Sequence, residues 1–233
     1  MKKLTALRNG GVLMLLVFLA CANALAQQGS VAVWDFDSYE VQNSTAAPAD
    51  NISRALSEIL LEQLLKYPGT RVVERSRLRE ILDEQKLGSS SLADEDARLR
   101  LGRIAGAQQM VFGSLMRIGE VTRIDVRLVS VATSQVLAAH ELSGSTQDVV
   151  ATMQVVAREL VRSLPGGNNE AREDPATPTS AATLASFDAA LVLMDRKDFS
   201  AALEALQKIL QTDPTFTPAE RQIAIALEQI SRQ

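Results

Sequence analysis

The chain has 233 residues, of which 46% are hydrophobic and 22% charged, a balance that supports a packed core rather than a disordered chain. Its 24 Lys and Arg stand against 28 Asp and Glu, a formal charge of −4, and they form no basic stripe. That argues against a nucleic-acid ligand, because phosphate neutralisation needs clustered cations. A single cysteine leaves no disulfide framework, so stability has to come from an ordinary core.

At the start, Lys2, Lys3 and Arg8 precede an unbroken apolar run over residues 12–20, shorter than the roughly 20 residues of a membrane span. Residues 1–26 are therefore read as a signal peptide that exports the protein to the periplasm. Two processing sites are legible. Ala24-Leu25-Ala26 before Gln27 is the small-residue pattern of ordinary cleavage, between Ala26 and Gln27, whereas Phe18-Leu19-Ala20-Cys21 is a lipoprotein box with Phe where Leu is usual. The first is the better match. The second remains the alternative, with Cys21 lipidated and the protein attached to the outer membrane. Loss of Lys2, Lys3 and Arg8 with the leader moves the formal charge to −7. No later apolar run approaches spanning length, so no membrane span is expected in the mature chain.

Residues 31–36 read as a short apolar strand and 38–49 as a polar loop. Asp50 can cap a helix with Ile52, Leu56, Ile59, Leu60 and Leu64 on one stripe, stopped by Pro68-Gly69. Residues 70–74 return as a strand. Ser76 then caps a second helix with Leu78, Ile81 and Leu82 inward and Gly88 past its end. Asp94 opens a third, with Ala97, Leu101 and Ile104 on one face and Gly106 as its stop. Residues 109–117 are nearly continuous in apolar character, as a strand covered on both faces would be. Residues 121–131 alternate, Ile124, Val126 and Leu128 against Arg123, Asp125 and Arg127, so one face meets water. Thr133-Ser134 turns the chain into an antiparallel partner over 135–143, and a helix follows over 146–164 with Val149, Met153, Val156 and Leu160 inward. The fold class is α/β, a mixed β-sheet flanked by helices in the order β-α-β-α-α-β-β-β-α, with a small all-α helical unit behind it.

Residues 165–181, rich in Pro, Gly, Asn and Thr, read as a flexible linker between an α/β domain over 27–164 and a helical unit over 182–233. In that unit Phe187, Ala190, Leu191 and Met194 form one inner face. Lys197-Asp198 turns the chain, and Phe199, Ala202, Leu203, Leu206 and Leu210 form the next face. Thr217-Pro218 opens a third helix. The spacing Phe199, Ala202, Leu206, Leu210, Asp213-Pro214 resembles one tetratricopeptide repeat. A single such repeat is too small to stand alone, so docking on the first domain or self-association is expected. The stripe Phe199, Leu203, Leu206 and Leu210 is the expected contact for a partner protein.

Chemistry-bearing residues are sparse. Asp35 and Asp37 lie at a strand end, where paired carboxylates can hold a cation or do acid–base work; the simpler reading is a pair that solvates the loop. Asp94-Glu95-Asp96 is better read as acids favoured by a helix dipole than as a metal cluster. His140, the one histidine, reads as a satisfied sheet residue. No nucleophile, base and orienting group stand together and no phosphate loop appears, so the expectation is a protein without catalytic residues, cofactor or metal.

Three segments carry a family resemblance: Val31-Ala32-Val33-Trp34-Asp35-Phe36; Arg71-Val72-Val73-Glu74-Arg75-Ser76-Arg77-Leu78 with Glu80-Ile81-Leu82 and Glu84-Gln85; and Gly106-Ala107-Gln108-Gln109-Met110-Val111-Phe112-Gly113-Ser114. Together they resemble the periplasmic domain of the CsgG-like curli assembly and secretion family, over about residues 31–164. Arg127-Leu128-Val129-Ser130-Val131 and Ser134-Gln135-Val136-Leu137 are similar to that family's next hairpin, where Thr-Gly is usual and this chain has Thr133-Ser134. The resemblance implies an envelope role through protein–protein contacts, as a scaffold or adaptor in assembly or secretion. The alternative is an outer-membrane lipoprotein that activates a peptidoglycan or envelope-assembly enzyme. It implies envelope proteins or further copies of the chain as partners, and makes Glu74 and Arg75 a protein contact. Those two residues by themselves read as an ion pair at a strand–helix corner. Channel-forming members insert two long hairpins into the membrane. Here the first position holds only Ile118-Gly119-Glu120 and the second runs straight into a helix at Thr146, too short for strands of about 9 to 11 residues. The resemblance is therefore to the family without its pore-forming hairpins.

Overall fold

A computed structural model describes residues 29–40, 52–85, 94–118, 121–164 and 178–232. The leader with Cys21, Ala26 and Gln27, the cap Asp50, Gly88 and most of the linker lie outside the described residues.

Six strands, β1 (Ser30–Val33), β2 (Asp37–Glu40), β3 (Arg71–Val73), β4 (Gln109–Ile118), β5 (Val121–Ser130) and β6 (Val136–Ser145), form one mixed sheet in the order β3-β1-β4-β5-β6, with β2 also on β4. The β1, β2 and β3 pairings are parallel, and β4-β5-β6 is an antiparallel meander. Ile118 pairs with Val121, so only two residues join β4 to β5. After β6 a short 3₁₀ turn, Thr146–Asp148, enters a helix directly.

The expected polar loop after residue 37 is corrected: Asp37–Glu40 is a strand. Val31–Val33 pair with the first part of β4 and Asp37–Glu40 with Ser114–Arg117, so β1 and β2 are one line along β4, broken at 34–36. The break has a cause. Phe36 turns onto Gly113, where a Cβ would lie 2.5 Å from the Phe36 ring; only glycine leaves room for it.

The helices are α1 (Ser53–Leu65), α2 (Arg75–Gln85), α3 (Glu95–Ile104), α4 (Val149–Ser163), α5 (Ala181–Asp195), α6 (Phe199–Thr212) and α7 (Thr217–Ser231). Two layers cover the sheet. Val33, Val111, Ile124, Val126 and Leu128 meet Leu56, Ile59, Leu60, Met153 and Val156 of α1 and α4. On the other face Ala32, Trp34, Met110 and Phe112 meet Leu78, Ile81 and Leu82 of α2 and Leu99 and Leu101 of α3. This second layer covers only part of the sheet, and Arg123, Asp125, Arg127 and Glu141 lie beyond it, facing water as the alternation of β5 requires.

Several local details differ from expectation. Helix α2 starts at Arg75, so Ser76 lies inside its first turn; the Glu74 carbonyl accepts from Arg77 and Leu78 N–H. Asp94 does cap α3, accepting from Asp96 N–H at 3.1 Å, and Gly106 closes it at φ +81°. Yet Ile104 is exposed and the buried positions are Leu99, Leu101 and Gly102. The helix comes so close to β4 that a Cβ on Gly102 would strike Met110 Sδ at 2.2 Å, which explains a glycine inside a helix.

Helices α5, α6 and α7 share a core cluster with the α/β body: Leu184, Phe187, Leu191, Leu206, Phe216 and Ala219 belong to the same buried group as α1 and α4. Phe187 and Phe216 meet edge to face, centroids 5.1 Å apart. Of the thirteen residues of α1, only Arg54 and Leu65 escape full burial. The sheet, α4 and the C-terminal helices enclose it on all sides.

Candidate functional site

The seam between the α/β body and the C-terminal helices is the most elaborated polar region of the molecule. It begins on α1, where Arg54, Glu58 and Glu62 recur every four residues and so fall on one face. That stripe points at the C-terminal helices. Asp188 of α5 accepts from the Arg54 and Ala55 backbone N–H groups at 2.8 and 3.1 Å and pairs with the Arg54 guanidinium. Glu58 accepts from Gln222 at 2.7 Å and from Arg221, and Glu62 accepts from the Thr217 hydroxyl at 2.6 Å. Burial pushes the carboxyls of Glu58, Glu62 and Asp188 above their usual range despite these partners. The second oxygens of Glu58 and Glu62 are buried with no hydrogen-bond partner among the described residues, which agrees with that direction.

Arg75 is the keystone beside this ladder. It is 8% exposed; its Nε meets Asp35 at 2.7 Å and its Nη1 and Nη2 meet Asp195 at 2.6 and 2.7 Å. Asp35 is available because it occupies the break between β1 and β2, and Asp195 because it ends α5. Arg79 and Arg54 also approach Asp35. Burial alone would raise the Asp35 carboxyl, but the guanidinium groups, Arg75 first, outweigh it and hold it at about 2. The same two carboxylates raise Arg75, against its own burial, so this cation stays charged at every accessible pH.

Between α2 and the C-terminal helices the seam opens into a cleft of about 320 Å³. Arg75 and Asp195 belong to its wall, Met194, Phe199 and Ile225 supply apolar surface, and Lys197 reaches Asp83 across it at 2.8 Å. Lys197 holds the tight α5–α6 turn at φ +61°.

The expected contact residues divide on this geometry. Glu74 and Arg75 line one cleft with Phe199, which is far from them in sequence. Leu206 is fully buried in the molecule's own core, so that side chain is spent internally, and Leu210 is half-buried against the same core. Leu203 is half-buried on α6. Glu74 bonds Arg221, and Arg75 is committed to Asp35 and Asp195.

The carboxylate pair Asp35 and Asp37 does not form. Asp35 faces Arg75, while Asp37 takes Arg98 at 3.0 and 3.2 Å, with that guanidinium also over the Trp34 ring at 5.6 Å. Asp94 is spent as a cap and Glu95 pairs with Arg127 at 3.0 Å; no metal-suited cluster of three His, Cys, Asp or Glu occurs among the described residues. His140 departs from the satisfied reading, since its Nε2 is buried without a hydrogen bond among the described residues.

Sequence reasoning missed Asp195, Asp188, Arg221 and Ile225, which sit 100 or more positions from their partners on α1 and α2. One local signal did exist. A stripe of Arg54, Glu58 and Glu62 on a helix whose other residues are mostly apolar marks a face that needs polar partners.

Residues 18–123 match the family model described as "Curli production assembly/transport component CsgG". No curated protein matches the sequence. Among solved structures, the LpoB C-terminal domain from Salmonella enterica is similar at 15% identity and TM-score 0.43, over 51% of this chain and 84% of that one. Lipoprotein GNA1162 from Neisseria meningitidis is similar at 13% identity and TM-score 0.43, over 59% and 99%. The PelC dodecamer from Paraburkholderia phytofirmans is similar at 14% and TM-score 0.34, over 63% and 91%.

Proposed function

We propose, from the match of residues 18–123 to the CsgG family model, that the protein is an exported, non-enzymatic scaffold or adaptor of the cell envelope, working by protein–protein contact in assembly or transport. The observation that carries this reading is the seam cleft, where Met194, Phe199 and Ile225 offer apolar anchors inside a wall of charges that already have partners. Such a surface suits a protein segment docking by a few apolar side chains, with polar specificity around them. The two connections where channel-forming relatives carry membrane hairpins are a two-residue link and a 3₁₀ turn, which supports a scaffold over a pore.

In this reading the C-terminal helices act together with the α/β body and not as a separate gripping arm. Removing residues 182–233 would strip buried Glu58 and Glu62 of their partners Gln222, Arg221 and Thr217 and take Leu184, Phe187, Leu206 and Phe216 out of the shared core, so truncation confounds binding with folding. The test is a point variant. Phe199→Ser combined with Ile225→Ser, at two half-buried positions, is expected to lose envelope proteins that the unaltered chain captures from envelope extracts, with circular dichroism unchanged. Capture of the same proteins by both chains sinks the cleft as the contact. Conductance across lipid vesicles, or turnover of a small molecule by the purified protein, sinks the scaffold reading itself.

A further inference from the structure

Strand β6 is the long edge of the sheet: along Val136–Ser145 it pairs with β5, and no strand among the described residues pairs with its other side. An open edge carries a row of backbone N–H and C=O groups that another strand can satisfy. Edges of monomers are commonly blunted by Lys, Pro, shortness or inward charge, and β6 has ten residues with neither Lys nor Pro. Its one acid, Glu141, is neutralised by Arg123 at 3.0 Å on the outer face. The opposite edge, β3, has three residues.

Burial tells the same story. On β5 the helix-facing row Ile124, Val126 and Leu128 is fully buried, whereas the matching row of β6, Ala138, His140 and Leu142, is only half-buried under α4. The apolar layer thus ends one strand short of being covered. Val136 and Leu137, at the start of the strand, are 52% and 42% exposed.

We propose that this edge pairs antiparallel with β6 of a second copy of the chain, about a twofold axis at Leu142. A strand edge is complementary to its own copy, and twofold pairing sets residues of the same sheet face opposite each other. Centring on Leu142 uses residues 139–145, which lie past the irregularity at Leu128/Val129 and pair regularly with β5. Leu142 then meets the partner's Leu142 beside α4, His140 faces the partner's Gly144, and Glu141 faces the partner's Ser143, a hydroxyl donor. Centring one residue earlier, on Glu141, would oppose two carboxylates and is disfavoured.

The register makes a charge-swap test. The purified protein is expected to sediment as a dimer at micromolar concentration. Ala139→Lys with Ser145→Lys, both at exposed positions, puts two lysines opposite each other at each end of the pairing and is expected to return a monomer with an unchanged circular dichroism spectrum. Ala139→Lys with Ser145→Glu puts opposite charges face to face and is expected to restore the dimer. A monomeric unaltered protein overturns the proposal. So does a dimer that survives the lysine pair, or a lysine–glutamate variant that stays monomeric.

Discussion

Arg75 and Arg123 each sit between two carboxylates, with unlike consequences. Arg75 lies between Asp35 and Asp195, its side chain 9% exposed, and ties the strand break, α2 and the end of α5 together. Arg123 lies between Asp125 and Glu141 on the open sheet face, its side chain 43% exposed, and ties only residues that the β5–β6 ladder already aligns. The number of carboxylate partners is the same; what differs is how much water each has lost and how much chain each one joins. The comparison breaks most sharply at Arg75. Replacing it with Ala leaves Asp35 and Asp195 desolvated and short of a cation, and a buried pair broken on one side costs about 3–5 kcal/mol. Urea unfolding of Arg75→Ala should therefore show a large drop in midpoint; a shift no larger than that of a surface substitution would mean the seam does not hold the molecule together.

Acid sharpens the contrast. Asp35 is held at about 2 against an ordinary value of 3.8, so it is ionised and stabilising above the higher figure, and that stability is lost as pH falls from about 4 to about 2. The loss is about 2 kcal/mol at its full extent. Glu58, Glu62 and Asp188 work in the opposite sense. Their folded carboxyls are raised by burial, so they favour the folded state at low pH and progressively oppose it as pH rises through their folded values. The thermal midpoint should rise as pH drops from neutral into the carboxylate range, then fall steeply below about 4. Asp35→Asn should flatten that final fall; a limb just as steep in the variant would assign it to other groups.

The sheet was largely legible in the sequence and the seam was not, for a physical reason. Apolar runs such as Met110, Val111 and Phe112, or the alternation of Ile124, Val126 and Leu128 with arginines and an aspartate, announce their burial through neighbours one or two residues away. Asp37-Ser38-Tyr39-Glu40 announces nothing of the kind. It is a strand because Gly113 seats Phe36 and delivers the chain to the free half of β4, a long-range cause. Likewise Arg75 reads locally as a corner arginine, and nothing near it points to an aspartate 120 positions on. The Arg54, Glu58 and Glu62 stripe was in view, but polar residues at helical spacing ordinarily mean water. Only the burial of the rest of α1, mostly apolar but with Ser53, Ser57 and Gln63 buried among it, separates a docking stripe from a surface one.

The smallest expected effect tests the other half of the comparison. Arg123 contacts Asp125 at 2.9 Å and Glu141 at 3.0 Å, and in coordinates alone that triad resembles the one at Arg75. Its charges, however, remain in water, where attraction is screened and two long side chains surrender freedom to meet. The backbone ladder from Val121↔Ser145 to Leu128↔Ala138 already fixes which residues lie opposite. Arg123→Ala should therefore leave the urea midpoint within experimental error at physiological salt, with any small difference vanishing as salt is raised. If it destabilised the protein as much as Arg75→Ala, burial would not be what distinguishes the two sites.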